Sequence, residues 1–410
     1  MYNNLNFIAV NPFKSISVGF VQLSKVFRKE LSIIFHDPGV MLFFFALPLA
    51  YPIVYTVIYN TEVVENLPFA VVDHARTPES RELVRMIDAT PEMQLYDYVP
   101  EMGEARRLWA ESKVVGILEI PSDYSSKIAN GQQSHVSFFC QMSLLLRYRA
   151  ALSALTSVQL VTGTKITEER MNTIGLPAST MSASPVNVDT AFLGDTQQGF
   201  ASFIIPGIVV LILQQSMILG ICLIGGTASD RRRKGDYYTD RIDLFSSPVA
   251  SVLGKALAYT LVYIPVTIYI LHYIPVWFHL PHQGDAIDWM LFAVPLLFAS
   301  AMIGLMFSHM MRQREDAFIY IVFTSVVFLF LSGLTWPRFA MPAFWYSIAD
   351  CIPATWGVEG FIRINSNAAT LAEESEPFLW LWGLTGIYFI GAVVLQALLR
   401  RRAIRATAKA

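Results

Sequence analysis

The sequence predicts an α-helical polytopic membrane protein with six transmembrane helices and an α/β extracytoplasmic domain inserted after the first. Three observations predict it. Of 410 residues, 54% are hydrophobic and only 15% charged, against about 25% charged in a soluble domain. Six long runs contain no Lys, Arg, Asp or Glu. Between the first two runs lies a stretch, 61–198, of ordinary, water-compatible composition. A purely soluble enzyme, a disordered chain and a coiled coil are excluded as classes. The net charge of −2 offers no basic field to a nucleic acid, so none is expected as a partner. Cys140, Cys222 and Cys351 are too few and too scattered for a disulfide framework or a zinc site, and no metal is expected.

The six runs are 39–60, 199–229, 256–284, 289–311, 317–337 and 377–399. Each reaches the roughly 20 residues that a helix needs to cross a bilayer. The first begins after 38 residues with no small-residue cleavage site behind it, so it reads as a retained anchor. Short flanks on one side hold seventeen Lys and Arg; those on the other hold only Arg338 and Arg363. Both termini are therefore expected in the cytoplasm, with 61–198 outside.

Before the first run, Phe13–Asp37 places Phe20, Leu23, Val26, Phe27, Leu31, Ile34 and Phe35 at three- and four-residue spacing among basic residues. This predicts an amphipathic helix over residues 1–38 lying in the cytoplasmic interface, as a membrane anchor or as a helix that also touches a partner. In the outer domain, strands are expected at Leu67–Asp73, Met93–Val99, Val114–Ile120 and Val136–Cys140. Helices are expected at Pro78–Ala89, with Thr77 as N-cap, at Glu101–Ser112 and over 121–129. Alternating strands and helices argue an α/β layer. Leu144–Met171 reads as one long helix, and 172–198, rich in Ser, Thr, Pro and Gly, as a connector.

Between the second and third runs, Asp230–Lys255 is the most polar stretch. Mixed charges around Tyr237, Tyr238, Leu244 and Phe245 suit protein docking, which wants apolar anchors inside a polar rim. The outer segment 336–376 is apolar, broken by Pro337, Pro342 and Pro353, and aromatic at Phe344, Trp345, Tyr346 and Trp356. It reads as re-entrant or interfacial helices closing a cavity, or as an aromatic belt. His272 and His279 read as interfacial. No phosphate-binding loop is present, since Gly254–Lys255 lacks the earlier glycine. No H-E-x-x-H or G-x-S-x-G occurs, and no span carries a central carboxylate for an ion-coupled relay. The architecture suits transport, but any energy source must be another polypeptide.

Five segments then carry a resemblance. They are RKELSIIFHDPGVMLFFFALPL (Arg28–Leu49), LPFAVVDHARTPESREL (Leu67–Leu83), VVGILEIPSDYSSKIANGQ (Val114–Gln132), LFSSPVASVLGK (Leu244–Lys255) and the stretch Leu331–Ile364. In this order they resemble the membrane subunit of type 2 ABC exporters, in the subgroup with a large domain between the first two spans. The resemblance implies an ATP-driven exporter subunit for an amphipathic or hydrophobic substrate, in a bacterial inner membrane with residues 61–198 periplasmic. It implies a cytoplasmic ABC ATPase that holds ATP and magnesium, no cofactor in this chain, and a second permease subunit in a homodimer or heterodimer. A periplasmic adaptor and membrane lipid are further expected partners. ATPase coupling is expected at Arg28, Glu30, Asp37, Asp230, Arg232, Lys234, Asp236, Tyr237, Leu244 and Phe245 (coupling loop 230–248). A substrate path or outer gate is expected at Phe203, Gln214, Phe330, Trp336, Phe344 and Trp345. One departure stands out: Asp230–Asp236 reads DRRRKGD, basic where the family has acids. That implies a specialised ATPase or a heterodimer mate with the usual loop. The rival reading is a non-transporting sensor or scaffold that binds through its outer domain. An intramembrane enzyme lacks a nucleophile–base pair.

Overall fold

The computed structural model describes residues 12–59, 64–140, 145–173, 199–236 and 240–407. The chain divides into two compact units, Thr61–Ala191 and the remainder, Met1–Asn60 with Phe192–Ala410.

In the smaller unit, four strands order as β2-β1-β3-β4. They are β1 (Leu67–Asp73), β2 (Met93–Tyr98), β3 (Gly116–Ile120) and β4 (Ser137–Cys140). β1 runs parallel to β2 and β3, with Phe69 opposite Gly116 and Asp73 opposite Ile120; β4 returns antiparallel to β3. The central strand has both faces covered, which explains its near-continuous apolar run. Leu67, Phe69 and Val71 pack with Leu83, Ile87, Tyr124, Ala154 and Val158. Ala70 and Val72 pack on the opposite face with Ala105 and Ile117. Burying a side chain such as Phe69 fully contributes about 1.5–3 kcal/mol.

Helix α3 (Pro78–Asp88) follows β1. Thr77 caps it: its side chain accepts from Ser80 N, while Ser80 Oγ accepts from Thr77 N at 3.1 Å. Asp73 holds the approach, accepting from Ala75 N, Arg76 N and Ser80 Oγ. Helices α4 (Met102–Ala110) and α5 (Tyr124–Ala129) complete the alternation, and α6 (Leu145–Thr173) is the long helix. Residues 174–198 of the expected connector lie outside the described residues.

The larger unit is helical. It holds α1 (Pro12–His36), α2 (Pro38–Ile58), α7 (Phe200–Arg233), α8 (Arg241–Phe245) and α9 (Pro248–Trp277). Then follow α10 (Ala286–Ser308), α11 (Asp316–Leu331), α12 (Ala343–Asp350), α13 (Pro353–Asn367) and α14 (Ser375–Thr407). Helix α7 is its spine and is buried along most of its length. Close approach explains two of its glycines: a Cβ on Gly225 would sit 2.6 Å from Ser308 Cβ, and one on Gly226 2.5 Å from Gln313 O. Small residues of this kind let membrane helices pack backbone to backbone. Helices α2 and α9 each contain a π turn, Leu42–Ala46 and Tyr269–Tyr273. Each ends two residues before a proline, Pro48 or Pro275, whose missing N–H breaks the regular ladder.

Among the described residues, five helices are long and apolar enough to cross a membrane: α2, α7, α9, α10 and α14. The chain is thus a multi-pass membrane protein. The run 317–337 does not make one long helix. Helix α11 has 16 residues and so rises about 24 Å, against a hydrocarbon core of about 30 Å. It stops at Gly333, whose φ of +87° suits a glycine.

The polar stretch Asp230–Lys255 is also shorter than the sequence suggests. Helix α7 continues to Arg233, and α9 already begins at Pro248, capped by Ser247. Lys255 lies inside α9, where Glu30 and Asp243 neutralise it. Helix α1 departs from a purely interfacial stripe. Val26, Glu30 and Ile34, one turn apart, are buried, while Phe20 and Phe35 are exposed. The buried stripe meets α9 at Gly254, where a Cβ would lie 2.9 Å from Leu23 O.

Candidate functional site

At one end of the helical unit, α1, α7, α8, α9 and α14 meet in a polar joint. Lys29 Nζ lies 2.6 Å from Asp243 Oδ2 and 3.7 Å from Asp240. Lys255 bridges Glu30 at 3.6 Å and Asp243 at 3.5 Å. Asp240 also holds Arg232 at 3.0 Å and Arg231 at 3.4 Å. The Tyr259 hydroxyl donates to Glu30 Oε2 at 2.9 Å. From α14, Gln396 Nε2 donates to the Asp243 carbonyl at 3.4 Å and to Ser251 Oγ at 3.3 Å. The side chains of Glu30 and Asp240 are each 1% exposed. Burial pushes the Glu30 carboxyl above the ordinary range, and Lys255 and Lys29 offset this only in part. Burial acts on Asp243 in the same direction, but Lys255 and Lys29 overcome it and hold that carboxyl below its usual value. Asp243 is therefore the anchoring anion.

A second link lies at the break between α1 and α2. Asp37 caps α2 by accepting from Gly39 N and Val40 N. The same carboxylate takes Arg314 through two bonds, Nη1 to Oδ2 at 2.8 Å and Nη2 to Oδ1 at 2.6 Å. Arg314 belongs to the connection between α10 and α11. Burial raises the Asp37 carboxyl, but Arg314 and the two amides outweigh it and the net shift is downward.

Several expected coupling residues thus join helices within the chain. Glu30 and Leu244 are buried, Asp37 is tied to Arg314, and Arg232 to Asp240. Arg28, Lys234 and Asp236 are exposed. Lys234 pairs with Asp230 at 2.7 Å on the last turn of α7. Tyr237 lies outside the described residues, as does the Phe245 side chain. The pattern had not singled out Lys29, Asp240, Asp243, Lys255 or Arg314. In the sequence, Lys29, Lys255 and Arg314 read as topology charges, and Asp240 and Asp243 as part of the mixed-charge docking stretch.

At Leu331–Glu376, a cavity of about 640 Å³ opens among Phe203, Leu334, Arg338, Tyr346, Trp356 and Glu359. Of the expected path residues, only Phe203 reaches its wall. Phe330, Phe344 and Trp345 are exposed, and Trp336 is half-buried. Gln214 is buried in α7, and neither of its amide atoms has a partner among the described residues. The Nδ1 of His272 lies 2.8 Å from His282 Nε2, and its ring stacks on Trp289. Within the smaller unit, a cavity of about 540 Å³ lies among Ile87, Leu118, Val136, Leu155, Gln159 and Arg170. No cluster of three or more His, Cys, Asp or Glu among the described residues is arranged to hold a metal.

Comparison with known proteins adds two findings. The profile of the ABC-2 family transporter proteins matches residues 38–394. The chain is also similar to the linearmycin resistance permease protein LnrN of Bacillus subtilis (strain 168), at 22% identity over 390 residues, covering 90% of this chain and 95% of that protein.

Proposed function

Because the chain belongs to the ABC-2 family of transporter proteins, we propose that it forms the membrane half of an ATP-driven exporter. As a translocation subunit of an ABC transporter, it works with a separate ATPase. In our reading, ATP and magnesium are held by that cytoplasmic partner, and two permease subunits enclose the path. The 17-to-2 bias of basic flanks supports both termini in the cytoplasm and 61–198 on the opposite side; a bacterial inner membrane is what the outer domain and the family resemblance imply. Helix α11 then crosses as the sixth span, with 336–376 completing its outer end.

The polar joint carries this reading. A partner pressing on Lys234–Ser247 would load α8, and through Asp240 and Asp243 the load would pass to α1 and α9 as one body. Such rigid-body displacement is a common way to open one side of a cavity. The cargo class is amphipathic or hydrophobic; similarity to a linearmycin resistance permease and the aromatic cavity wall support it. The cavity in the α/β unit supports a role for that unit in receiving cargo or docking an adaptor.

The test is a mild-detergent pull-down of the tagged chain from its native membrane. An ABC ATPase should co-purify, and should be lost when 234–247 is replaced by a Gly/Ser linker. Recovery of the intact chain without any ATPase would end the exporter reading and favour a sensor. Deleting 67–190 should abolish export while insertion persists; unchanged export removes the α/β unit from the path.

A further inference from the structure

Arg338 occupies an unusual setting. Its guanidinium carbon lies 4.2 Å from the ring centre of Trp356 and 4.8 Å from that of Tyr346. Nη2 donates to Asp350 Oδ1 at 2.5 Å, and Nη1 donates to Glu359. Trp356 is fixed from behind by a stack on Trp380 at 5.0 Å and by its own N–H, which donates to the Asp350 carbonyl. Two aromatic faces and two carboxylates make a box for a cation.

Three observations separate this box from a plain structural clamp. First, anions are in excess along segment 336–376, where Asp350, Glu359, Glu373, Glu374 and Glu376 stand against Arg338 and Arg363; Arg363 takes Glu359 and Glu374, and Glu376 lines the cavity. Burial keeps the Asp350 carboxyl above its usual range even with Arg338 beside it. Second, the occupant is imperfectly held. Arg338 Nε is buried with no partner among the described residues. The residue rides on a short arm between Gly333, in a left-handed conformation, and Pro342. Third, the box opens into a cavity of about 640 Å³, the size of a drug-like ligand site.

We propose that the box is a binding site for an amphipathic cation. The charged head takes the place of the Arg338 guanidinium between Tyr346 and Trp356. The apolar body fills the cavity toward Phe203 and Leu334, while Arg338 swings out on its arm. Arg338 is then a tethered competitor that fills the site when cargo is absent. This names the cargo class at the outer end of the path, and in that respect it rests on the export reading.

The experiment uses the full chain in lipid nanodiscs and two ions of one shape, tetraphenylphosphonium and tetraphenylborate. Calorimetric titration is corrected with empty discs. Phosphonium should bind saturably and about tenfold or more tighter than borate, the scale of one desolvated cation–π contact with its ion pair. Glu359→Gln should weaken phosphonium about fivefold or more. Arg338→Gln should tighten it about tenfold, because the tethered competitor is gone. If Arg338→Gln fails to fold, Trp356→Leu with Arg338 intact should weaken phosphonium and spare borate. Equal binding of the two ions, no saturable phosphonium binding, or affinity unmoved by these substitutions overturns the proposal. The measurement needs no ATPase. ATPase recovery without phosphonium binding therefore ends only this proposal; phosphonium binding without an ATPase ends only the export reading.

Discussion

The polar joint and the arginine box use the same chemistry toward opposite ends. Both set basic side chains against carboxylates at the edge of apolar helices. In the joint, five helices converge, Asp240 and Asp243 are each shared by more than one cation, and the anions are almost fully buried. In the box, one arginine from a short arm meets aromatic faces beside an open cavity. Shared, buried partners make a joint that is hard to open, because breaking any one pair strands another charge. A cation beside a cavity can be exchanged for another of the same sign, even though Glu359 in the box also holds Arg363. The lesson is that an ion pair is not in itself a lock. The burial of the partners and the access of solvent decide.

The strongest way to break the contrast is Asp243→Asn. It removes the carboxylate shared by Lys29 and Lys255 and should cost about 3–5 kcal/mol. A thermal unfolding scan in detergent should show the loss, and a shift comparable to a surface substitution would refute the joint as a rigid unit. Next comes Asp37. Asp37→Asn keeps a cap of nearly equal quality but weakens the Arg314 pair, whereas Asp37→Ala loses both. Ala should therefore be worse than Asn by about 1 kcal/mol, the usual worth of an N-cap; equal losses would mean the cap contributes nothing.

Glu30 sharpens the comparison by sign. Its folded carboxyl is raised above 4.5, so its stabilising contribution is present below that value and is lost as pH rises through the folded one. Asp243, lowered below 3.8, behaves oppositely: its contribution persists at neutral pH and disappears only in acid. Glu30→Gln should therefore be neutral or slightly stabilising at neutral pH and should flatten the fall in stability as pH rises above 4.5. A destabilisation like that of Asp243→Asn would reverse the assignment. The smallest effect is expected at Lys234, whose side chain is 74% exposed and whose partner Asp230 is 38% exposed. Lys234→Gln should change stability by no more than about 0.5 kcal/mol, because water screens that pair.

Much of the fold was legible in the sequence because its signals are local. Apolar runs mark the five long helices, alternation marks the strands, and Thr77 marks the start of α3 before any packing is known. Boundaries were misread where a distant partner changes a local rule. Lys255 ends a charge-free count, yet it sits within α9 because Glu30 and Asp243 come to it. The run 317–337 is apolar throughout, yet Gly333 ends α11 inside it. The site was least legible. The Asp37–Arg314 pair joins residues 277 positions apart, and no periodicity reports that. The Trp336, Phe344 and Trp345 cluster drew attention through its aromatics, while the cavity is built around Arg338, which had counted only as a topology charge.

The π turn in α2 has a consequence for evolution by insertion and deletion. A π turn holds one residue more than an α turn, and each residue turns a helix by about 100° and advances it about 1.5 Å. Deleting one residue from Leu42–Ala46 would leave a regular helix of sound apolar composition. That deletion would be absorbed, because the π turn carries the extra residue, whereas a deletion in the regular turn Pro38–Met41 has no such slack and would swing everything on its N-terminal side by over a quarter of a revolution. Asp37 would then point away from Arg314, and the stripe Val26, Glu30 and Ile34 would no longer be presented to α9. A one-residue change in an apolar stretch, invisible to any hydropathy plot, would uncouple α1 from the rest of the unit.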